Sequence, residues 1–394
     1  MRAQRAGEVF RVFLILGLTS FGGPVAHLGY FREAFVVRRQ WLTEQAYADL
    51  VALCQFLPGP ASSQVGMAIG LRRAGYLGMG AAWVGFTLPS ALLLLGFALG
   101  AQAVGVTGDE GWLLGLKAAA VAVVAHAVLG MAGQLAVGPQ RATIAVGALA
   151  IVLLLPSAAS QVVAILVGGL IGLLWLRPAA PEEDEESEAV PVGRRTALAS
   201  LAIFVGLLIS LPVLASLVHN PTLGLVDSFY RAGSLVFGGG HVVLPLLEAE
   251  TVGTGLISHG SFLAGYGAAQ AVPGPLFTFS AYLGAVMPGQ PNPVVGAAIA
   301  LVAIFLPSAL LVVAGLPFWE RLRGSVRARR ALAGAGAAVV GLLAAALYDP
   351  VFTQGITGAG TMVVAAVALV ALAVWKLPAW AVVIGASLLG AMLL

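Results

Sequence analysis

Phe21-Gly22-Gly23-Pro24, Gln55-Phe56-Leu57-Pro58-Gly59-Pro60 and Leu88-Pro89-Ser90 mark the first quarter of the chain. The same marks return in the same order as Phe237-Gly238-Gly239-Gly240, Gln270-Ala271-Val272-Pro273-Gly274-Pro275 and Leu306-Pro307-Ser308. The offsets are 216, 215 and 218 residues, so the two sets stay in register. Leu155-Pro156 and Leu377-Pro378 add a fainter echo. Two halves of an apolar chain that interrupt their helices at matching places are the mark of a secondary transporter built from internal repeats.

The surrounding composition fits a membrane. Of 394 residues, 60% are apolar and 9% charged, where soluble domains carry about 25% charged residues. Fifty-one glycines suit helices that pack backbone to backbone in lipid. The fold class expected is an all-α polytopic membrane protein made of two inverted-topology repeats. Each would hold two re-entrant helical hairpins and about four crossing helices, with one further helix linking the repeats. The lone cysteine, Cys54, excludes an internal disulfide. The basic start followed by Phe13–Leu18 is not read as a signal peptide, because its copy lies deep inside the chain.

Residues 182–188 hold six acids with only Ser187 between them, too polar to bury and expected to form a solvated linker. The expected divisions are therefore an N-terminal repeat at 1–177, an acidic cytoplasmic linker at 178–195, a linking helix at 196–218 and a C-terminal repeat at 219–394. Without those six acids the net charge rises from +3 to +9 (20 − 11), an excess read as membrane topology and not as nucleic-acid binding.

A crossing needs about 20 apolar residues. Stretches 75–101, 112–136, 141–176 (two, broken at Pro156), 196–218, 293–316, 329–348 and 357–394 (two, broken at Pro378) meet that length, giving nine crossings. The stretches around the Gly and Pro marks are shorter, at 7–21, 25–37, 43–57 and 61–72, and read as hairpins that enter and leave on one face. Those of the second half fall at 223–250 and 257–288. Placing positive loops inside puts every basic residue except Lys117 and Arg231 on the cytoplasmic side and turns the second half upside down.

In each Pro-Gly-Pro the second proline suits the first turn of a helix. The following amides, at 61–64 and 276–279, and the dipole behind them form a place for an anion. Gln55, Gly59, Pro60, Ser62, Ser63 and Gln64 in one half, and Gln270, Gly274, Pro275, Thr278 and Ser280 in the other, are the candidate binding residues. Gly22, Gly23, Gly238 and Gly239 join them as glycines that let backbone approach the ligand. A tight hairpin turn explains Pro-Gly-Pro equally if only one copy is considered, and packing explains the glycines. A bulky residue at Gly59 or Gly274 is expected to stop flux without unfolding the chain.

Ionisable groups inside apolar helices are functional candidates because each costs a few kcal/mol there. His27 and His241, just past the Gly-rich breaks, are candidate coupling residues, with a hydrogen-bonded structural role as the alternative. His126 reads as a buried neutral histidine, Lys117 as a snorkelling lysine, and Asp227 and Arg231 as an ion pair one turn apart. Arg32 and Glu248 are expected to be solvated at hairpin mouths. No metal-ligand cluster, no cofactor motif and no hydrolase, nucleotide or protease signature is present, which argues against an enzyme.

The combination of Phe10-Arg11 through Leu18, Ser20 to Pro24, Arg38-Arg39-Gln40-Trp41 and Leu57-Pro58-Gly59-Pro60 resembles the chromate transporter family. The second half, with Gly238-Gly239-Gly240-His241 and Val272-Pro273-Gly274-Pro275, resembles that family's C-terminal domain, so the likeness covers the whole chain in its long, two-domain form. It implies export of chromate across the bacterial cytoplasmic membrane, driven by the proton gradient, with chromate resistance as the outcome. The partners implied are chromate, its analogue sulfate and the lipid bilayer, and a homodimer is compatible with it. The family's motif positions fall on Gly22, Gly23, Pro24, Pro58, Gly59 and Pro60, and on Gly238, Gly239, Gly240, Pro273, Gly274 and Pro275. Where the family often has an acid after the first Pro-Gly-Pro, this chain has Ala61-Ser62-Ser63. A sulfate carrier, a passive anion channel and a non-transporting membrane scaffold are the other readings of the same features.

Overall fold

Gly-rich and Pro-containing breaks divide this apolar chain into helices, and the computed structural model has no strand among its described residues. Those residues are 2–21, 23–104, 110–155, 158–177, 192–236, 243–319 and 325–394. Most of the acidic linker therefore lies outside them, as do Gly22, Pro156, Gly238, Gly239, Gly240 and His241.

The first half opens with α1 (Arg2–Thr19), α2 (Gly23–Arg32), which continues as a π-helical turn to Arg38, and α3 (Glu44–Phe56). It goes on with α4 (Ala61–Val104), α5 (Gly111–Leu135), α6 (Pro139–Leu154) and α7 (Ala158–Trp175). Then α8 (Arg194–Val218) links the halves. The second half repeats the order as α9 (Pro221–Ser234), α10 (Val243–Thr251), α11 (His259–Ala271), α12 (Phe279–Val286) and α13 (Pro293–Gly315). It closes with α14 (Val326–Ala346), α15 (Ala359–Ala373) and α16 (Ala379–Leu393).

The helix α4 is two limbs. Its backbone leaves helical geometry at Ala74 and Gly75, and a Cβ added at Gly70 would overlap the Gly78 carbonyl and lie 2.9 Å from the Ala82 methyl. A straight helix would hold Gly70 and Ala82 about 18 Å apart, so the chain reverses at Gly75. The second half makes the same reversal, with Gly284 packed on Gly296 and Ala300. The short stretches at 61–72 and 276–286 are thus legs of hairpins folded against the long helices that follow them.

Among the described residues, five helices have the length and apolarity of a crossing: α4, α5, α8, α13 and α14, the last continued to Gly355. Nine were expected. The helices flanking Pro156 and Pro378 are only 16, 18, 15 and 15 residues long, or about 22–27 Å. They fold as antiparallel pairs. Gly360 at the start of α15 meets Leu394 at the end of α16, and Ser387 donates a hydrogen bond to the Trp112 carbonyl at the start of α5 (3.0 Å). A pair of short legs and a pair of crossings both return the chain to the face it left, so apolar length alone could not separate them.

The two halves interlock through glycine. Gly115 of α5 packs on Ala386 and Gly390 of α16, and Gly334 of α14 packs on Gly168 and Gly172 of α7. Each half therefore inserts its long central helix into the closing hairpin of the other. Such contacts put backbone against backbone, which is how membrane helices gain packing without a hydrophobic drive between them. The linking helix α8 is exposed along most of its length, presenting Leu198, Ile203, Ile209 and Leu217, as a lipid-facing helix should.

Charge inside this frame is paired. Arg231 bridges Asp227 (2.9 Å) and Glu250 (2.8 Å), both carboxylates being buried, and so ties α9 to α10. The expected Asp227–Arg231 pair is thus present with a third member. Arg32 is solvated as expected and hydrogen-bonds Glu44, whose carboxylate raises the guanidinium pKa. Glu248 is mostly buried, with His259 Nδ1 3.8 Å away, and Lys117 is buried against Gly260 where snorkelling was expected.

Gly115→Val and Gly334→Val should each lower the thermal midpoint of the purified protein, at a cost of about 1–3 kcal/mol or more from overpacking. Gly206→Val on the open face of α8, where nothing lies within 4 Å, should leave it unchanged. Heating in detergent with size-exclusion readout measures both.

Candidate functional site

Each Pro-Gly-Pro is held by the other half. The Gly59 amide donates to the Val236 carbonyl (2.7 Å), and the Gly274 amide donates to the Ser20 carbonyl (2.9 Å). Ser20 and Val236 are equivalent residues, each just before its Phe-Gly-Gly. The tip of one half is therefore bonded to the break of the other, in both directions. Gly59 and Gly274 sit at φ +126° and +96°, a region that disfavours any residue with a Cβ.

The third duplicated motif completes the exchange. A Cβ at Gly59 would overlap Ser308 Oγ, and one at Gly274 would lie 2.9 Å from Ser90 Oγ. Leu-Pro-Ser of each half therefore covers Pro-Gly-Pro of the other. Ser90 and Ser308 were not singled out from the sequence, although their duplication at matching positions was the available signal.

Around the first tip, Gln64 Nε2 donates to the Pro58 carbonyl (2.7 Å), and the Gln64 amide to the Pro60 carbonyl (3.0 Å). This leaves the amides of 61–63 as the helix's open end. His27 is buried between break and tip, with Nε2 3.2 Å from the Ser20 carbonyl and Nδ1 3.3 Å from Ser62 Oγ. A carbonyl only accepts, so Nε2 carries the proton there and Nδ1 is left to accept from Ser62. Ser20 Oγ, Ser63 Oγ, Gln64 Oε1, Ser280 Oγ and Ser308 Oγ are buried without a hydrogen-bond partner. An unmade bond of this kind costs about 1–3 kcal/mol, so their gathering near the tips points to a polar guest.

At the second tip the Thr278 hydroxyl and amide both turn back to the Pro275 carbonyl (2.7 and 3.0 Å), so Thr278 acts as a local cap. Beside it lies a cavity of about 430 Å³, lined by Gly23 and Pro24 of the first break, Gln270, Val272, Gly274 and Leu276 of the second tip, residues on α5, and the turn between α15 and α16. Of the residues expected in the site, Gly23, Gln270 and Gly274 share this cavity. Gly59, Pro60, Ser62, Ser63 and Gln64 cluster separately at the first tip, and Gln55 is exposed. His126, expected to be buried, is exposed and lines the cavity together with Lys376. Burial of a residue on a single apolar helix depends on its neighbours, which one helix does not reveal.

The tip glycines are points of closure, so a bulky residue at either should strain the fold, where the sequence alone suggested that the fold would be spared. Gly59→Ala should lower thermal stability by about 1–3 kcal/mol from backbone strain alone, with more from the clash at Ser308. Adding Ser308→Ala should restore only the second part. Gly274→Ala, with its longer contact, should lose less than Gly59→Ala. Equal stability of all variants and the parent would refute this account.

The sequence pattern described as Chromate transporter matches residues 7–173 and again 223–391. A chromate transport protein of Pseudomonas aeruginosa is 29% identical over 87% of this chain and 80% of its own length. A probable chromate transport protein of Synechococcus elongatus is 28% identical over 92% and 89%, and a chromate transport protein of Cupriavidus metallidurans 28% over 80% and 75%. No solved structure matches. With both of its halves matched, tip and break included, the chain belongs to the chromate transporter family.

Proposed function

We propose that this protein is a secondary active transporter that exports chromate across the bacterial cytoplasmic membrane by alternating access, drawing on the proton gradient and conferring chromate resistance. The halves, 1–177 and 219–394, are inverted repeats, and the acidic linker and α8 carry the chain to the opposite face between them. The observation that carries this reading is the reciprocal bonding of each Pro-Gly-Pro to the other half's break. It supports two helix N-termini brought together from opposite sides, a geometry suited to a doubly charged oxyanion. The names of the three relatives support chromate as that anion.

His27 is our coupling residue in the first half, and His241 its candidate partner in the second. His27 touches both Ser20, which receives the Gly274 amide, and Ser62 at the opposite tip. A second proton on its ring would force Ser62 from donor to acceptor and disturb the lock between the halves.

Everted membrane vesicles loaded with protein test this directly. Chromate should accumulate above its equilibrium level when an inward proton pumping gradient is imposed, and sulfate should compete. Simple equilibration would indicate a channel, and no movement a scaffold. His27→Gln should lower accumulation at least tenfold while leaving counterflow exchange measurable. Undiminished gradient-driven accumulation in that variant would remove His27 from coupling.

A further inference from the structure

The cavity beside the second tip is lined by motif residues and also by two side chains that neither the duplicated motifs nor the family likeness explains. Its described wall holds two basic side chains, His126 and Lys376, and the amide of Gln270, with no carboxylate. They come from opposite halves, His126 from α5 and Lys376 from the turn after α15. We infer that His126 and Lys376 form the donor wall of a binding chamber for a tetrahedral dianion, one group supplied by each half. The assignment of a transport cycle to that chamber rests on the function proposed above, whereas binding does not.

Depth is the first argument. His126 is the sixteenth residue of the 25-residue α5, hence about 22 Å along a helix of about 37 Å. The α15–α16 pair starts and ends beside Gly111 and Trp112 and turns beside His126. Phe21 at the first break stacks near Trp380 just past that turn (5.4 Å between rings). Lys376, expected on the cytoplasmic side, is therefore level with His126 partway along α5, and a charge inside the apolar layer costs a few kcal/mol and marks a function.

Backbone geometry is the second. Lys376 adopts φ +55°, the left-handed position after a helix that glycine or asparagine normally fills. The Trp375 amide bonds the Val370 carbonyl (3.1 Å) and the Leu377 amide the Ala371 carbonyl (2.9 Å), which fixes the turn. The strain of that backbone position is offset in part by the negative end of the α15 dipole, and the fixed turn holds the lysine side chain at the cavity wall.

Charge is the third. The open helix end at the second tip contributes about half a unit of positive charge. A dianion held in the apolar layer leaves a deficit of more than one unit, most of which a single ammonium supplies. His126 adds a donor from the other half, so an anion spanning the pair senses how the halves sit relative to each other.

Equilibrium dialysis of the purified full-length protein with labelled chromate and labelled sulfate tests the pair. Lys376→Gly should weaken binding of both anions at least tenfold while the thermal midpoint stays level or rises, because glycine relieves the left-handed backbone. Lys376→Arg should stay within a few-fold of the parent, and His126→Gln should lose less than Lys376→Gly. Parent-like binding by the Lys376→Gly, His126→Gln double variant would overturn the inference while leaving the transport reading intact. A parent protein that binds neither anion would overturn it as well. Lysine-dependent binding without flux in vesicles would uphold the chamber and defeat transport.

Discussion

Two amide hydrogen bonds between the halves, Gly59 to Val236 and Gly274 to Ser20, are the constraint from which the centre of this molecule follows. Each needs an interrupted helix on both sides. The break must expose a carbonyl that a continuous helix would consume, and the tip must turn tightly enough to present an amide across the interface. Pro-Gly-Pro does the second, since neither proline can donate and only the central glycine offers an N–H. The Gly-rich break does the first. Nothing bulkier than hydrogen fits at Gly59 with Ser308 over it. The three duplicated motifs are thus one device, made twice and assembled crosswise.

That device explains what could and could not be seen in the chain alone. The duplication, the hairpin legs at 61–72 and 257–288 and the helix start after Pro60 follow from local rules, because proline, glycine and helix length act within a few residues. Partnership between Gly59 and Val236, 177 residues apart, or between Ser20 and Gly274, 254 apart, does not. Ser90 and Ser308 repeat as faithfully as the glycines, but a serine after a proline says nothing of what it covers. The same limit misplaced Lys117, His126 and Glu248, whose burial is set by helices remote in sequence. Crossings are a different matter: the apolar stretches at 139–175 and 359–393 satisfy composition, but each folds as a pair of short helices, and apolar length alone does not separate a pair of crossings from a hairpin.

Glycine also governs the outer contacts. Gly115 with Gly390 and Gly334 with Gly172 let α5 and α14 lie against the closing hairpins of the opposite halves. The buried cluster that includes Ala118–Val124, Ala337, Ala338, Val339, Leu342, Val382, Val383 and Ala386 is therefore assembled from both halves. A core shared in this way resists separation of the halves, but smooth, small-residue surfaces with few interlocking side chains permit sliding and rocking. Stability and motion are compatible because the contacts are made by backbone, whose shape changes little along the helix.

The tips differ in a way that two equal repeats would not predict. At the first, His27 and Ser62 join break to tip, beside orphaned groups of Ser63, Gln64 and Ser308. At the second, Thr278 caps its own turn, while the neighbouring cavity is open and carries Lys376 and His126. On the transport function proposed above, the closing hairpins would move past α5 and α14, and a proton on His27 would loosen the Gly274–Ser20 bond, because His27 shares that Ser20 carbonyl.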